Sequence, residues 1–83
     1  MNDWMQDVID SLAQRTGLDP ATLTLSSDEQ RTILDVARVA AHSSGARINA
    51  PLLCYVLGVA AAQGAPLSAT ASIVHERDTE QAQ

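Results

Sequence analysis

The chain has no phenylalanine and no lysine, a single cysteine, and only two aromatic side chains, Trp4 and Tyr55. Each shortage narrows what the protein can be. With lysine absent, all five basic residues are arginines; they face ten acids, and the formal net charge is −5. Phosphate backbones need clustered cations, so nucleic acid is disfavoured as a partner, and an anionic membrane surface is disfavoured for the same reason. The lone Cys54 allows neither an intramolecular disulfide nor a multi-cysteine zinc site. Long apolar runs are missing too: the stretch "PLLCYVLGVAAA" is too short to span a bilayer and suits a buried helix. The N-terminus "MNDWMQDVIDS" is acidic where a secretion signal is basic, so a cytoplasmic protein is expected.

What is present is mostly alanine, leucine, isoleucine and valine. Eighty-three residues with a hydrophobic fraction of 46% form one small domain near the lower size limit for folding without disulfides or metal. Alanine swells that fraction, yet a core made of alanine gains little at about 25 cal/mol per Å² of buried apolar area. Marginal stability is expected of the monomer, and a homo-oligomer is one remedy.

Punctuation divides the chain into four helical segments. The first spans about Asp3 to Thr16, with Trp4, Met5, Val8, Ile9, Leu12 and Ala13 on one face and Gly17 placed for a left-handed stop. The connector "LDPATLTLSS" has room for one helical turn, with Asp19 as its cap and Pro20 at its first position. The second helix opens at overlapping capping boxes, Ser26-x-x-Glu29 and Ser27-x-x-Gln30, and ends near His42 or Ser43. Its expected buried stripe is Ile33, Leu34, Ala37, Ala40 and Ala41, widened by Val36 and Val39, with Glu29, Asp35 and Arg38 facing water. The third starts near Ala50, capped by Asn49 with Pro51 in its first turn, and ends at Gly64. Cys54, Gly58 and Ala62 recur every four residues and would let another helix approach closely. The fourth runs from a cap at Ser68 to about Arg77. The expectation is an all-α compact bundle of four or five short helices over residues 1–77, with a polar tail at 78–83. Helices two and three form its tight central antiparallel pair.

The chemically suggestive residues cluster between positions 42 and 55. A lone His42 in the last turn of a helix ordinarily serves that helix end. It lacks the companions a metal site needs, and Cys54, inside an apolar helix, makes a poor nucleophile. Arg47 lies in a short loop beside a helix N-terminus, where free N–H groups and a guanidinium could together hold an anion; the ordinary reading is an ion pair or a carbonyl cap. His42, Arg47 and Asn49 thus form a candidate docking or anion site, and Trp4, near the terminus, is a candidate interface anchor. No residue is assigned a catalytic, cofactor-binding or metal-binding role.

Several motifs fall in a recognisable order: Trp4-Met5, Gly17-Leu18-Asp19-Pro20, Val36-Ala37-Arg38 through Ala41-His42, and Arg47 through Ala50-Pro51-Leu52 to Tyr55-Val56-Leu57-Gly58. Together they resemble a small bacterial domain family of unknown biochemical activity that is associated with molybdenum-cofactor maturation and occurs beside or fused behind molybdopterin guanylyltransferases. Ile48 and Asn49 depart from its loop, where small residues or proline are expected. The resemblance implies a non-enzymatic accessory or protein-interaction domain linked to molybdopterin-guanine dinucleotide biosynthesis, with the guanylyltransferase or another protein of that pathway as partner. The transferase itself has a Gly-rich nucleotide loop and an α/β sheet, and neither pattern occurs in this sequence. The alternative is a small anion- or nucleotide-binding module using the loop between helices two and three.

Overall fold

The structure, a computed structural model, describes residues 1–82. Five helices follow in order, α1 (Asp3–Thr16), α2 (Pro20–Leu23), α3 (Ser27–Ser44), α4 (Asn49–Ala62) and α5 (Leu67–Ala82); the described residues contain no strand, so the fold is all-α. The chain divides into two compact units, Met1–Gln30 and Arg31–Gln83.

In the first unit, local chemistry sets the helix ends. Asn2 accepts the Met5 N–H at 2.8 Å to open α1. Gly17 closes it in a left-handed conformation, φ 77°, which returns its N–H to the Ala13 carbonyl at 2.9 Å. Asp19 caps α2 through the Ala21 N–H at 3.0 Å, with Pro20 first in the helix, and α2 lies against α1. The Ser26 box forms in both directions: Glu29 N–H donates to Ser26 Oγ at 3.1 Å, and Ser26 N–H donates to Glu29 Oε1 at 2.8 Å. The second box does not form, because the Gln30 side chain donates instead to the Leu25 carbonyl at 3.1 Å. Ile9 and Ala13 are the buried side of α1, while Trp4 and Leu12 are exposed.

The second unit is built on Val36, Leu57 and Ala71, one buried side chain from each of α3, α4 and α5, with Leu53, Leu67 and Val74 packed around them. Its closest backbone approach is between α4 and α5 rather than between α3 and α4, so the tight central pair expected of the latter two is corrected. The reason lies in the small-residue face. Gly58 and Ala62 are exposed, and nothing lies within 4 Å of where a Gly58 Cβ would stand. α4 packs instead through Leu53 and Leu57, one turn apart, and Cys54 also approaches α3, its Sγ 3.9 Å from the Ile33 carbonyl oxygen.

Helix faces and starts also shift. On α3 the buried residues are Val36, Val39 and Ala40, all within the widened stripe that was expected, but Leu34 is 69% exposed and falls outside it. Asn49 is not the cap of α4 but its first residue. Ile48 occupies the cap position without a side-chain bond, because Asn49 and Ala50 N–H already donate to the Ala46 and Arg47 carbonyls, each at 3.1 Å. α4 ends as a Schellman motif: Ala65 N–H reaches the Ala60 carbonyl, Gly64 N–H reaches that of Ala61, and Gly64 adopts φ 99°. Ser68 likewise falls inside α5, whose opening N–H groups, Ala69 and Thr70, are taken by the Pro66 carbonyl. The helix continues past Arg77 to Ala82, through most of the stretch expected to be a tail; Gln83 lies outside the described residues.

The exclusion of Leu34 yields a direct test. Val36→Ala removes two methyl groups from a fully enclosed site and is expected to lower the free energy of unfolding by about 2 kcal/mol. Leu34→Ala, on the opposite face, should change it by less than about 0.5 kcal/mol. Urea titrations of the two variants check this, since the expected stripe held both residues and makes both truncations costly.

Candidate functional site

The second unit contains a groove of about 400 Å³. The end of α3 supplies Val39, Ala40, Ser43 and Ser44, the start of α4 gives Asn49, Leu52, Leu53 and Val56, and α5 closes it with Val74, Arg77 and Asp78. Its floor is apolar and its polar groups sit at the α3–α4 turn and on α5. Ser44 shapes that turn. Its hydroxyl donates to the Ala40 carbonyl at 2.6 Å and accepts the Ala46 N–H at 3.2 Å. Ser43 Oγ donates to Asp78, which ties α3 to α5 across the groove.

The three residues read from the sequence as one site are not brought together in the groove. Asn49 lines it, half-buried. His42 and Arg47 are exposed and do not line it, and neither side chain has a hydrogen-bond or ion-pair partner among the described residues. Among the described residues, then, Arg47 makes neither the ion pair nor the carbonyl cap of its ordinary reading. The helix start beside Arg47 offers little to an anion: the Asn49 and Ala50 amides are engaged by backbone carbonyls, and Pro51 has no N–H to give. Cys54 is half-buried, and desolvation raises its thiol pKa, keeping it protonated and unreactive.

Sequence spacing gave no sign of a polar connection elsewhere in this unit. Asp35, expected to face water, accepts from Arg38 Nη2 at 2.7 Å on its own helix and lies 2.9 Å from His75 Nε2 on α5. The Arg38 hydrogen bond holds the Asp35 carboxyl below the usual carboxylate range against an opposing desolvation, with the charges of Arg38 and protonated His75 adding to it. Forty residues separate the two partners, so no local pattern reveals them.

A second surface lies on α1. Trp4, Asp7, Val8, Ser11, Leu12 and Arg15 line a shallow concavity of about 460 Å³. Trp4, Val8 and Leu12 follow at four-residue spacing, and Asp3, Asp7 and Asp10 run along one edge of that stripe. Trp4 is 70% exposed. Among the described residues no group of three or more His, Cys, Asp or Glu is placed to hold a metal ion, and no helix is long and apolar enough to cross a membrane.

The family described as "Domain of unknown function (DUF6457)" matches residues 1–83. No curated protein and no solved structure matches the chain.

Asp35 carries a prediction with a definite sign. Its native pKa lies below the unfolded value of about 4. Its contribution to stability is therefore complete above that value and is lost as pH falls through the native pKa. The urea midpoints of wild type and Asp35→Asn should separate above about pH 4 and converge in stronger acid. Curves that stay parallel through the acid range would show that the Arg38 and His75 bonds add nothing.

Proposed function

We propose that this chain, which belongs to the DUF6457 family of unknown function, is a non-catalytic protein-interaction domain that presents α1 to a partner protein. The observation that carries the reading is the exposed Trp4. A large aromatic side chain left in solvent beside Leu12 on one helix stripe is the kind of anchor that dominates protein interfaces, and amphipathic helices dock such stripes into apolar grooves. Charge defines the partner further. Residues 1–30 hold six of the ten acids and one of the five arginines, while residues 31–83 balance four against four, so the whole net charge belongs to the α1 unit. The complementary surface is an apolar groove rimmed by Lys and Arg.

The order of motifs from Trp4 to Gly58 supports a place in molybdenum-cofactor biosynthesis and makes the molybdopterin guanylyltransferase of the same cell the first partner to try. An anion-binding loop is the second reading. Only the unpaired Arg47 supports it, because the neighbouring amides are already bonded.

Titration calorimetry with the purified guanylyltransferase tests the proposal. Wild type is expected to bind, Trp4→Ala to bind at least about thirtyfold more weakly, and binding to weaken as salt screens the acidic edge. Absence of binding removes the molybdenum link. Equal binding by Trp4→Ala moves the interface away from α1.

A further inference from the structure

A second surface has a different chemistry. Between Arg47 and His75 the sequence contains no Asp, Glu, Lys, Arg or His, and α4 lies inside this uncharged run. Leu53 and Leu57 face inward, while Leu52, Tyr55, Val56 and Val59, with Ile48 just before the helix, remain in solvent, Tyr55 at 75% and Leu52 at 61%. At 3.6 residues per turn these five form one continuous stripe, bordered by Gly58 and Ala62.

We infer that this face of α4 is a self-association surface, occupied by the α4 of a second copy across a two-fold axis. Three observations favour a second copy. First, the face is uncharged, so it gives a charged partner nothing to pair with, while residues 31–83 carry no net charge to repel their own copy. Second, the area suffices. The exposed stripe presents roughly 600 Å² per copy, and two such faces bury about 1,200 Å², the lower edge of a stable specific interface. Third, the face is self-complementary. A two-fold contact pairs residue i with j and j with i, and an antiparallel crossing level with residue 57, just past the helix midpoint, sets Tyr55 against the partner's Val59 and Leu52 against the partner's Ala62. Large side chains then meet small ones, and the open space over Gly58 receives the edge of the tyrosine ring. This surface is separate from the α1 stripe, so each stands or falls without the other.

Sedimentation velocity of the full chain across a range of micromolar concentrations tests the inference. Wild type is expected to shift from monomer to dimer as concentration rises. Tyr55→Glu and Leu52→Glu alter side chains already in solvent in the monomer, so circular dichroism should remain helical while association weakens at least about thirtyfold. Ile73→Glu, at an exposed position on α5, should dimerise as wild type does. A wild-type chain that stays monomeric at the highest concentration, or a Tyr55→Glu chain that dimerises normally, overturns the inference. A monomeric wild type whose guanylyltransferase binding is lost in Tyr55→Glu assigns the face to that partner instead, and equally overturns it.

Discussion

Among the described residues of the second unit, Val36 is the one side chain with no exposure, and its contact with Leu57 and Ala71 is what joins three helices. That contact is small, because one of its three members is alanine and no phenylalanine exists to widen it. The rest of the unit reflects this economy. A contact so narrow can cover only one side of α4, which is why a helix apolar nearly all round keeps Leu52, Tyr55, Val56 and Val59 in water. Polar bonds at the rim supplement the core: Ser43 to Asp78 and Asp35 to His75 both tie α3 to α5. Partly exposed pairs of this kind add little each. Their value is in fixing the rotation of α5 about its axis, a task that uniform small apolar residues perform poorly.

The features legible in the sequence are those decided within a few residues. The Gly17 stop, the Asp19–Pro20 turn and the Ser26–Glu29 box all depend on a side chain or a backbone angle acting on its near neighbours. Helix number and class followed from them. The facing of α3 was legible only in part, for a reason visible in its composition. Ile33, Leu34, Val36, Ala37, Val39, Ala40 and Ala41 spread apolar surface over most of the helix, so periodicity leaves several stripes open. The expected stripe held both Leu34 and Val36, whereas proximity to Leu57 and Ala71 selects the side containing Val36. Asn49 and Ser68 mislead in a similar way. Each is a good cap by type, but a preceding carbonyl reaches the open amides first.

The candidate sites divide along the same line. Trp4 could be read as an anchor from its residue type and its place near the terminus, and it does stand in solvent. Cys54 could be read as inert from its apolar setting. The grouping of His42, Arg47 and Asn49 rested on closeness in sequence, and a turn between two helices sends neighbouring side chains in different directions. Asn49 faces the groove and the other two do not. Arg77 and Asp78, which do line it, are about thirty residues away on a helix whose sequence reads simply as polar.

The two exposed apolar surfaces differ in a way that suits them to different occupants. α1 carries Asp3, Asp7 and Asp10 beside its stripe. A two-fold contact there would set like charges against each other at close range, which costs most where water is excluded. That surface is therefore suited to a partner of opposite charge, whose approach its field would accelerate. α4 has no charge to steer an encounter and none to oppose a copy of itself. Its association would be driven by apolar area alone and would persist in salt that weakens contacts at α1. The segregation of charge into the first thirty residues is what keeps these two kinds of recognition distinct in so short a chain.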